Sequence, residues 1–361
     1  MKVNNPKHEI TSVQLMGFIV SAQIGIGILT FPSILAQKVG HDGWISIIGA
    51  GGICLFEGLL ITYLLKSYSN KTIFEINNIA YGKILGTILN LGFILYLLFI
   101  TGVTLRIFEE AVNIIILKLT PPIVITFLIL LSTIYGISKG LKVVCRFAVM
   151  LLFSYFILII TLLLVVKYTR YTYLLPIGNA GLMPIIQGIK ISSYSFLGFE
   201  LIAFIYPNIK DKENTPKYMV AALIFTTIYY VLSVIVSIMV FGEKKLSMAV
   251  FPVYNMEQAI EVPVIERLDT LYILFWFPTM ASSVRAYLFS TYYSMSMVFK
   301  TKKTNPLLFI VIVIEIIISR IPKDFESTYD YSEYAGNIGM IVVGIIIITF
   351  FISIFRKKVK I

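Results

Sequence analysis

The chain has 361 residues, of which 58% are hydrophobic and only 14% are charged. This composition excludes an ordinary soluble protein, because a chain of this size cannot bury so much apolar surface. A net charge of +11 would suggest nucleic-acid binding in a soluble chain, but here the basic residues flank apolar runs, as at the cytoplasmic ends of membrane helices. We therefore expect an all-α polytopic protein that lies in a lipid bilayer and binds no nucleic acid.

The apolar runs are long enough to cross a bilayer, which takes roughly 20 helical residues. The connections between them are short, and the longest, between spans 7 and 8, has room for a short surface helix. The sequence predicts ten spans, at residues 11–36, 43–65, 84–116, 121–138, 143–166, 182–207, 216–242, 266–299, 305–320 and 334–355.

Ten spans place both termini on one side of the membrane. Of the 30 lysines and arginines, 18 fall in segments on the side of the termini and 9 in loops on the other side. Because positive charge is enriched on the cytoplasmic side, both termini are predicted to be cytoplasmic. The chain is predicted to form one transmembrane domain with two halves, residues 1–166 and 182–355.

Span 1 contains QIGIGILTFP, residues 23–32, in which two glycines and a proline interrupt the apolar run. Glycine tolerates unusual backbone angles, and proline removes a hydrogen-bond donor. The glycines, Gly25 and Gly27, have a simpler interpretation as a close contact between helices, since small residues let two backbones approach each other.

Span 6 contains a second interruption, SSYSFLGFELIAFIYP, at residues 192–207. Breaks at matching places in two halves indicate an inverted-repeat transporter fold, with the ligand bound where the breaks meet. A broken helix exposes amide N–H groups on one side and carbonyls on the other. We expect the amides of Gly25, Ile26 and Gly27 to hold a ligand carboxylate, and the carbonyls of Ser195 and Phe196 to hold an ammonium group.

Charged side chains within the predicted spans are expensive and are usually paired or functional. Arg106 precedes Glu109 and Glu110 by three and four residues, which predicts a local ion pair; the alternative is that one acid faces the central cavity. Glu200 follows the second break and is either a counter-ion or proton carrier, or a hydrogen-bonded carboxyl that stabilises the turn.

Two basic residues also lie within spans. Arg285 in span 8 is a candidate for a fixed cation with a functional role, with a structural ion pair as the alternative. Lys190 either pairs with an acid of span 3 or extends toward the membrane surface.

The sequence offers little for catalysis or metal binding. It has two histidines, His8 and His41, and two cysteines, Cys54 and Cys145. Cys54 is predicted to lie inside span 2 and Cys145 near the opposite end of span 5, so no disulfide is expected. It has no phosphate-binding GxxxxGK[ST] motif and no plausible Ser-His-Asp set. We therefore expect no metal, no cofactor and no enzymatic activity.

The ten spans, QIGIGILTFP in span 1, SFLGFE in span 6 and FWFPTMASS in span 8 resemble the B subunit of GerA-type spore germination receptors, in the amino acid–polyamine–organocation superfamily. The resemblance implies the five-plus-five fold of the bacterial leucine transporter and a nutrient-sensing role in the spore inner membrane. It also implies a small amino acid ligand such as L-alanine, a membrane A subunit and a lipoprotein C subunit as partners. The superfamily's ligand contacts lie at the breaks of spans 1 and 6 and on spans 3 and 8, and the resemblance carries them over to Gly25, Ile26, Gly27, Ser195, Phe196, Leu197 and Gly198. Sodium-coupled relatives bind a cation between spans 1 and 8, and the resemblance suggests that Arg285 replaces that sodium ion here.

A second function fits the same residues. A secondary amino acid transporter in a bacterial cell membrane, coupled to protons, would bind its ligand at the same breaks. The span number and the resemblance favour the receptor.

Overall fold

The computed structural model describes residues 8–25, 30–68, 70–259, 268–301 and 304–358. Within them the regular structure is α-helical, with short 3₁₀ turns between some helices. The helices are α1 (Ser12–Gln23), α2 (Phe31–Lys38), α3 (Gly43–Ser67), α4 (Ile73–Tyr81), α5 (Lys83–Ile115), α6 (Pro122–Ser138), α7 (Leu141–Val165), α8 (Leu182–Ser195), α9 (Ile202–Ile205), α10 (Thr215–Leu246), α11 (Pro252–Ala259), α12 (Leu268–Val298), α13 (Thr304–Ser319) and α14 (Phe325–Lys358).

Several of these helices are long and apolar enough to cross a membrane, as expected of an integral membrane protein. Five pass on length and hydropathy: α3, α5, α7, α10 and α14. A further pair, Leu182–Ser195 and Phe199–Asn208, passes only as one span bent by 44°. Helices α6 and α13 are apolar but shorter. The helices coincide with the predicted apolar runs, and the number of membrane crossings stays a prediction.

Two helices differ from the sequence-based expectation. Helix α4 was not predicted, although its start carries a capping box in which Thr72 accepts from the Glu75 amide and the Glu75 carboxylate accepts from the Thr72 amide at 2.8 Å. Helix α14 begins at Phe325 instead of near residue 334. Its first turns are polar, so hydropathy does not detect them, and Asp324 caps them by accepting from the Ser327 amide at 2.8 Å.

Helix α1 lies in the middle of the bundle, packed against α7, α10 and α12. The segment before it is tied to the chain that follows α9. The Ile10 amide donates to the Asn208 carbonyl at 3.0 Å, and the Lys210 amide donates to the Ile10 carbonyl at 2.9 Å. The Ser12 amide donates to the Asp211 carboxylate at 2.7 Å. These bonds hold the start of α1 against the second half of the chain.

Candidate ligand-binding site at the helix breaks

The first break separates α1 from α2. Helix α1 ends at Gln23, and α2 begins at Phe31 with Pro32 in its first turn, where a missing N–H costs nothing. A Cβ at Gly25 would lie 1.7 Å from the Ser283 Oγ on α12. Gly25 therefore allows α1 and α12 to approach closely, as the helix-contact interpretation of this glycine requires. The predicted ligand residues Ile26 and Gly27 lie outside the described residues.

The second break separates α8, which ends at Ser195, from a 3₁₀ turn that begins at Phe199. Gly198 between them has a φ of +122°, which side-chain-bearing residues rarely adopt. A Cβ at Gly198 would also lie 2.9 Å from the Ala22 Cβ, at the end of α1. This glycine therefore brings the second break into contact with the first.

Hydrogen bonds join the two breaks directly. The Gln23 side-chain amide donates to the Phe196 carbonyl at 2.5 Å, and its oxygen accepts from the Thr226 hydroxyl at 2.8 Å. The Tyr230 hydroxyl lies 2.7 Å from the Gln23 carbonyl and 3.0 Å from the Ser195 carbonyl. The two carbonyls that were predicted to hold a ligand ammonium group therefore already accept from protein side chains.

Glu200 stabilises the second break from within. Its side chain is fully buried; one carboxylate oxygen accepts from the Gly198 amide at 2.6 Å and the other from the Tyr96 hydroxyl at 2.8 Å. This is the arrangement expected of a hydrogen-bonded carboxyl that stabilises the turn at Gly198. Each of the two Glu200 carboxylate oxygens has a hydrogen-bond partner.

A cavity of about 430 Å³ lies between the breaks, within the range of small-molecule sites. Its lining residues at the breaks are Ala22, Gln23, Thr30, Phe31, Tyr194, Ser195 and Leu197. The other walls come from α5, through Thr104 and Ile107, and from α14, through Tyr329 and Gly336.

The contribution of α14 was not predicted from the sequence. A Cβ at Gly336 would lie 2.6 Å from the Tyr194 ring, so the small Ala335–Gly336 pair lets α14 pack against α8. That pair is the sequence signal that could have placed α14 at the cavity.

The cavity opens on one face of the bundle. Lys38 at the end of α2, Glu110 near the end of α5 and Phe325 at the start of α14 all line it, so its mouth lies at this end of the helices. At the opposite end, Asn208 donates to the Tyr293 hydroxyl at 2.8 Å and the His8 ring lies 5.7 Å from the Tyr293 ring. These contacts pack side chains together beneath the breaks at that end.

The predicted ion pair of span 3 is present beside the mouth. Arg106 lies 2.8 Å from Glu109 and 2.9 Å from Glu110. Glu109 is fully buried and also contacts Arg320 and the Thr126 hydroxyl, so it faces α6 and α13. Glu110 lines the cavity instead, and its Oε2 has no hydrogen-bond partner.

The two basic residues lie away from the breaks. The Arg285 guanidinium lies 4.4 Å from the centre of the Phe147 ring on α7 and packs against Gly136 on α6. Ser283, and not Arg285, faces α1, so the proposed replacement of a sodium ion between spans 1 and 8 does not match this placement. Lys190 is exposed, and among the described acids none lies within ion-pair distance of it. This placement matches the alternative in which Lys190 extends toward the membrane surface.

Replacing Tyr230 by phenylalanine is expected to loosen the contact between the breaks, because the buried carbonyls of Gln23 and Ser195 lose their shared donor. The loss is about 1–3 kcal/mol of stability, measured as a lower Tm of the purified protein. Tyr135→Phe is the control, because the Tyr135 ring is 67% exposed and its hydroxyl lies away from the breaks. Equal Tm values for the two variants would contradict a structural role for the Tyr230 hydroxyl.

The fold is similar to that of solved membrane transporters. The structure of MhsT in complex with L-phenylalanine aligns with a TM-score of 0.71 at 14% sequence identity, covering 95% of this chain and 89% of MhsT. Mhp1, a nucleobase-cation-symport-1 family transporter in a closed conformation, aligns with a TM-score of 0.66 at 13% identity, covering 96% of this chain and 81% of Mhp1. At these identities the similarity establishes the fold, which is that of the leucine-transporter type.

Curated relatives are spore germination proteins. The chain is 26% identical to spore germination protein B2 of Bacillus subtilis (strain 168) over 358 residues, which is 98% of this chain and 97% of the relative. It is 30% identical to spore germination protein GerQB of Bacillus cereus over 270 residues, 75% of each chain. The Spore_permease family model, described as spore germination protein, matches residues 9–328. These matches confirm the resemblance noted from the sequence, and the chain belongs to the Spore_permease family of spore germination proteins.

Proposed function

We propose that this protein is a nutrient-sensing subunit of a spore germination receptor, which binds a small amino acid such as L-alanine between its helix breaks. The observation that carries the proposal is the cavity of about 430 Å³, which is lined by residues of both breaks. Membership of the spore germination family supports the biological role.

We propose the topology that the sequence predicts: ten spans, with α1–α2 and α8–α9 as the broken first spans of two inverted halves, residues 1–166 and 182–355. Helices at the predicted positions and the leucine-transporter-type fold support it. The protein then lies in the spore inner membrane with both termini on the cytoplasmic side. The cavity opens to the opposite side of the membrane.

In this proposal the ligand carboxylate is held by the amides of Gly25, Ile26 and Gly27, where a break leaves N–H groups free. The ammonium group turns toward the Ser195 hydroxyl and the free Oε2 of Glu110, because the Ser195 and Phe196 carbonyls already accept from protein donors. Leu197 and Gly198 shape the floor between the breaks.

A ligand that bridges both breaks favours the conformation in which they are close together, and so shifts the population toward it. Helix α14 lines the cavity and begins at its mouth, so its position depends on what the cavity holds. We propose that this movement is transmitted to the membrane A subunit and the lipoprotein C subunit of the receptor.

A secondary amino acid transporter coupled to protons is the second candidate. It is favoured by the fold, because 95% of the chain aligns with MhsT. Both candidates need a bound ligand, but only the transporter needs net movement of ligand across the membrane.

Replacing Ile107 by tryptophan is expected to fill the cavity and lower ligand affinity by at least about tenfold, since it adds a large ring to the α5 wall. Leu95→Trp is the matched control, because Leu95 lies on the same helix but is 65% exposed on its outer side. The measurement is binding and net uptake of labelled L-alanine by the full chain in liposomes, with and without a proton gradient.

Saturable binding without uptake, lost in Ile107→Trp and kept in Leu95→Trp, supports the receptor. Accumulation driven by the gradient supports the transporter. Equal binding by both variants would place the ligand outside this cavity and overturn the proposed site.

A further inference from the structure

A buried carboxylate without a partner lies at the outer end of the bundle, on the short helix α11. Glu257 is only 1% exposed, and neither of its carboxylate oxygens has a hydrogen-bond partner in the described structure. An unpaired buried charge is costly, and buried polar groups are nearly always satisfied by protein, water or an ion. The groups that surround Glu257 therefore indicate which kind of partner, a protein group, water or an ion, binds its carboxylate.

Polar atoms of four neighbouring aromatic side chains are unpartnered too. The hydroxyls of Tyr155, Tyr229 and Tyr272 and the Trp276 Nε1 are all buried without a hydrogen-bond partner. Tyr229 and Tyr272 lie on α10 and α12, which both pack against α11, and they are within electrostatic range of the Glu257 carboxylate.

The remaining two side chains adjoin these tyrosines. The Tyr155 ring lies 6.3 Å from the Tyr229 ring, and the Trp276 ring stacks on the Tyr272 ring at 6.2 Å. Such a concentration of unsatisfied groups in one place is unusual for a packed protein interior.

The helices bring these groups together from four directions. Tyr155 lies on α7, Tyr229 on α10, and Tyr272 and Trp276 on α12, and α11 packs against all three helices. On α7 the Thr161 hydroxyl lies close to the carboxylate and donates to the Leu158 carbonyl at 2.9 Å. Among the described residues, no lysine, arginine or histidine forms an ion pair with Glu257.

We propose that these residues form a binding site for one monovalent alkali cation, held by the Glu257 carboxylate and by phenol and hydroxyl oxygens. A cation supplies the charge that the carboxylate lacks, and oxygen atoms are the ligands that hard cations prefer. The Trp276 N–H then donates to a carboxylate lone pair or to water bound at the cation.

The single carboxylate determines the charge of the ligand. Calcium sites usually combine several carboxylates, and magnesium sites keep several bound waters in an octahedron. In the described part of the chain no three His, Cys, Asp or Glu side chains come together, and the site is formed mainly by aromatic side chains. One negative charge and several neutral oxygens match a monovalent ion.

The site is separate from the ligand cavity. None of Glu257, Tyr229, Tyr272 and Trp276 lines that cavity. Tyr229 is, however, followed by Tyr230, whose hydroxyl contacts both breaks, and the two rings lie 6.4 Å apart. A cation at Glu257 would hold α11 to α7, α10 and α12 behind the first break, whatever ligand the cavity binds.

The test is thermal unfolding of the purified full chain in choline, sodium, potassium and ammonium chloride at equal ionic strength. Choline is too large for the site and serves as the reference salt. We expect a saturable rise in Tm, on the order of 5 °C at a hundredfold excess of cation over its Kd, with sodium or potassium. Equilibrium binding of radioactive sodium and rubidium then measures the stoichiometry, expected to be one ion per chain.

Glu257→Gln is expected to abolish the rise in Tm while leaving the Tm in choline unchanged or higher, since it removes an unpaired buried charge. A purely structural role would instead lower the Tm in every salt. Tyr272→Phe is expected to weaken cation binding about threefold to tenfold by removing one oxygen.

Glu315→Gln is the matched control. Glu315 is also fully buried with both carboxylate oxygens unpartnered, but it lies on α13 beside Gly102. This variant should keep the cation response. The proposal is overturned if the alkali salts and choline give equal Tm values, if the response survives in Glu257→Gln, or if stability follows pH alone in all salts.

Discussion

Replacing Gly25 by alanine is expected to push α1 and α12 apart and to disable the ligand site. The added Cβ would lie 1.7 Å from the Ser283 Oγ and 2.5 Å from the Ser283 Cβ. Rotation of Ser283 can move its hydroxyl but not its Cβ, so the two segments must separate. We expect a loss of about 1–3 kcal/mol in stability and a fall in L-alanine affinity of at least about tenfold, since the first break moves with α1.

The same clash can be relieved from the other side. In the double variant Gly25→Ala with Ser283→Gly, the hydroxyl and Cβ of residue 283 are gone, and Tm and ligand binding should recover by more than half. Gly52→Ala is the matched control, because a Cβ at this helical glycine meets nothing within 4 Å. It should leave Tm unchanged or slightly higher, since alanine favours helix. If Gly25→Ala behaves like Gly52→Ala, the close contact between the two segments does not exist.

Replacing Glu109 by glutamine is expected to destabilise the mouth of the cavity. Glu109 is fully buried and shared by Arg106, Arg320 and the Thr126 hydroxyl. Breaking a buried ion pair typically costs about 3–5 kcal/mol because the partner charge is left unpaired. We expect the lower value, about 3 kcal/mol, because Arg106 still forms its ion pair with Glu110, at 2.9 Å. The Tm should fall by roughly 5 °C or more.

Arg320 is the charge that Glu109→Gln leaves without a carboxylate. Adding Arg320→Met to Glu109→Gln removes that charge and should restore much of the lost Tm. Glu213→Gln is the control: Glu213 pairs with Lys66 but its side chain is 82% exposed, and such surface pairs contribute about 0–1 kcal/mol. A fall in Tm for Glu213→Gln as large as that for Glu109→Gln would show that burial does not govern the effect.

Features that depend only on residues close to one another along the chain could be predicted from the sequence. Long apolar runs marked the helices, because a membrane helix satisfies its own backbone and needs only an apolar surface. Pro32 and Gly198 marked the two breaks, because they act on the backbone at their own positions. Gly25 acts instead through its close contact with Ser283 on α12. The Arg106–Glu109–Glu110 pairing followed from helical spacing alone.

Hydropathy failed where a helix begins with polar residues. The first turns of α14 form part of the cavity wall and mouth, so they carry polar groups and do not resemble a membrane span. The connection between spans 7 and 8 was expected to have room for a short surface helix, and α11 lies there. The burial of Glu257 on that helix was not predicted.

The partners of each polar group were decided by the tertiary structure. The Ser195 and Phe196 carbonyls are free in an isolated broken helix, but Tyr230 on α10 and Gln23 on α1 bond them in the folded chain. Arg285 faces α6 and α7 because of the rotation of α12 about its own axis, which helix packing determines. The amino-acid sequence by itself indicated most of the long apolar helices and the positions of two interruptions, since these are local properties. Only the packing of distant segments decided which exposed groups remain free to bind a ligand.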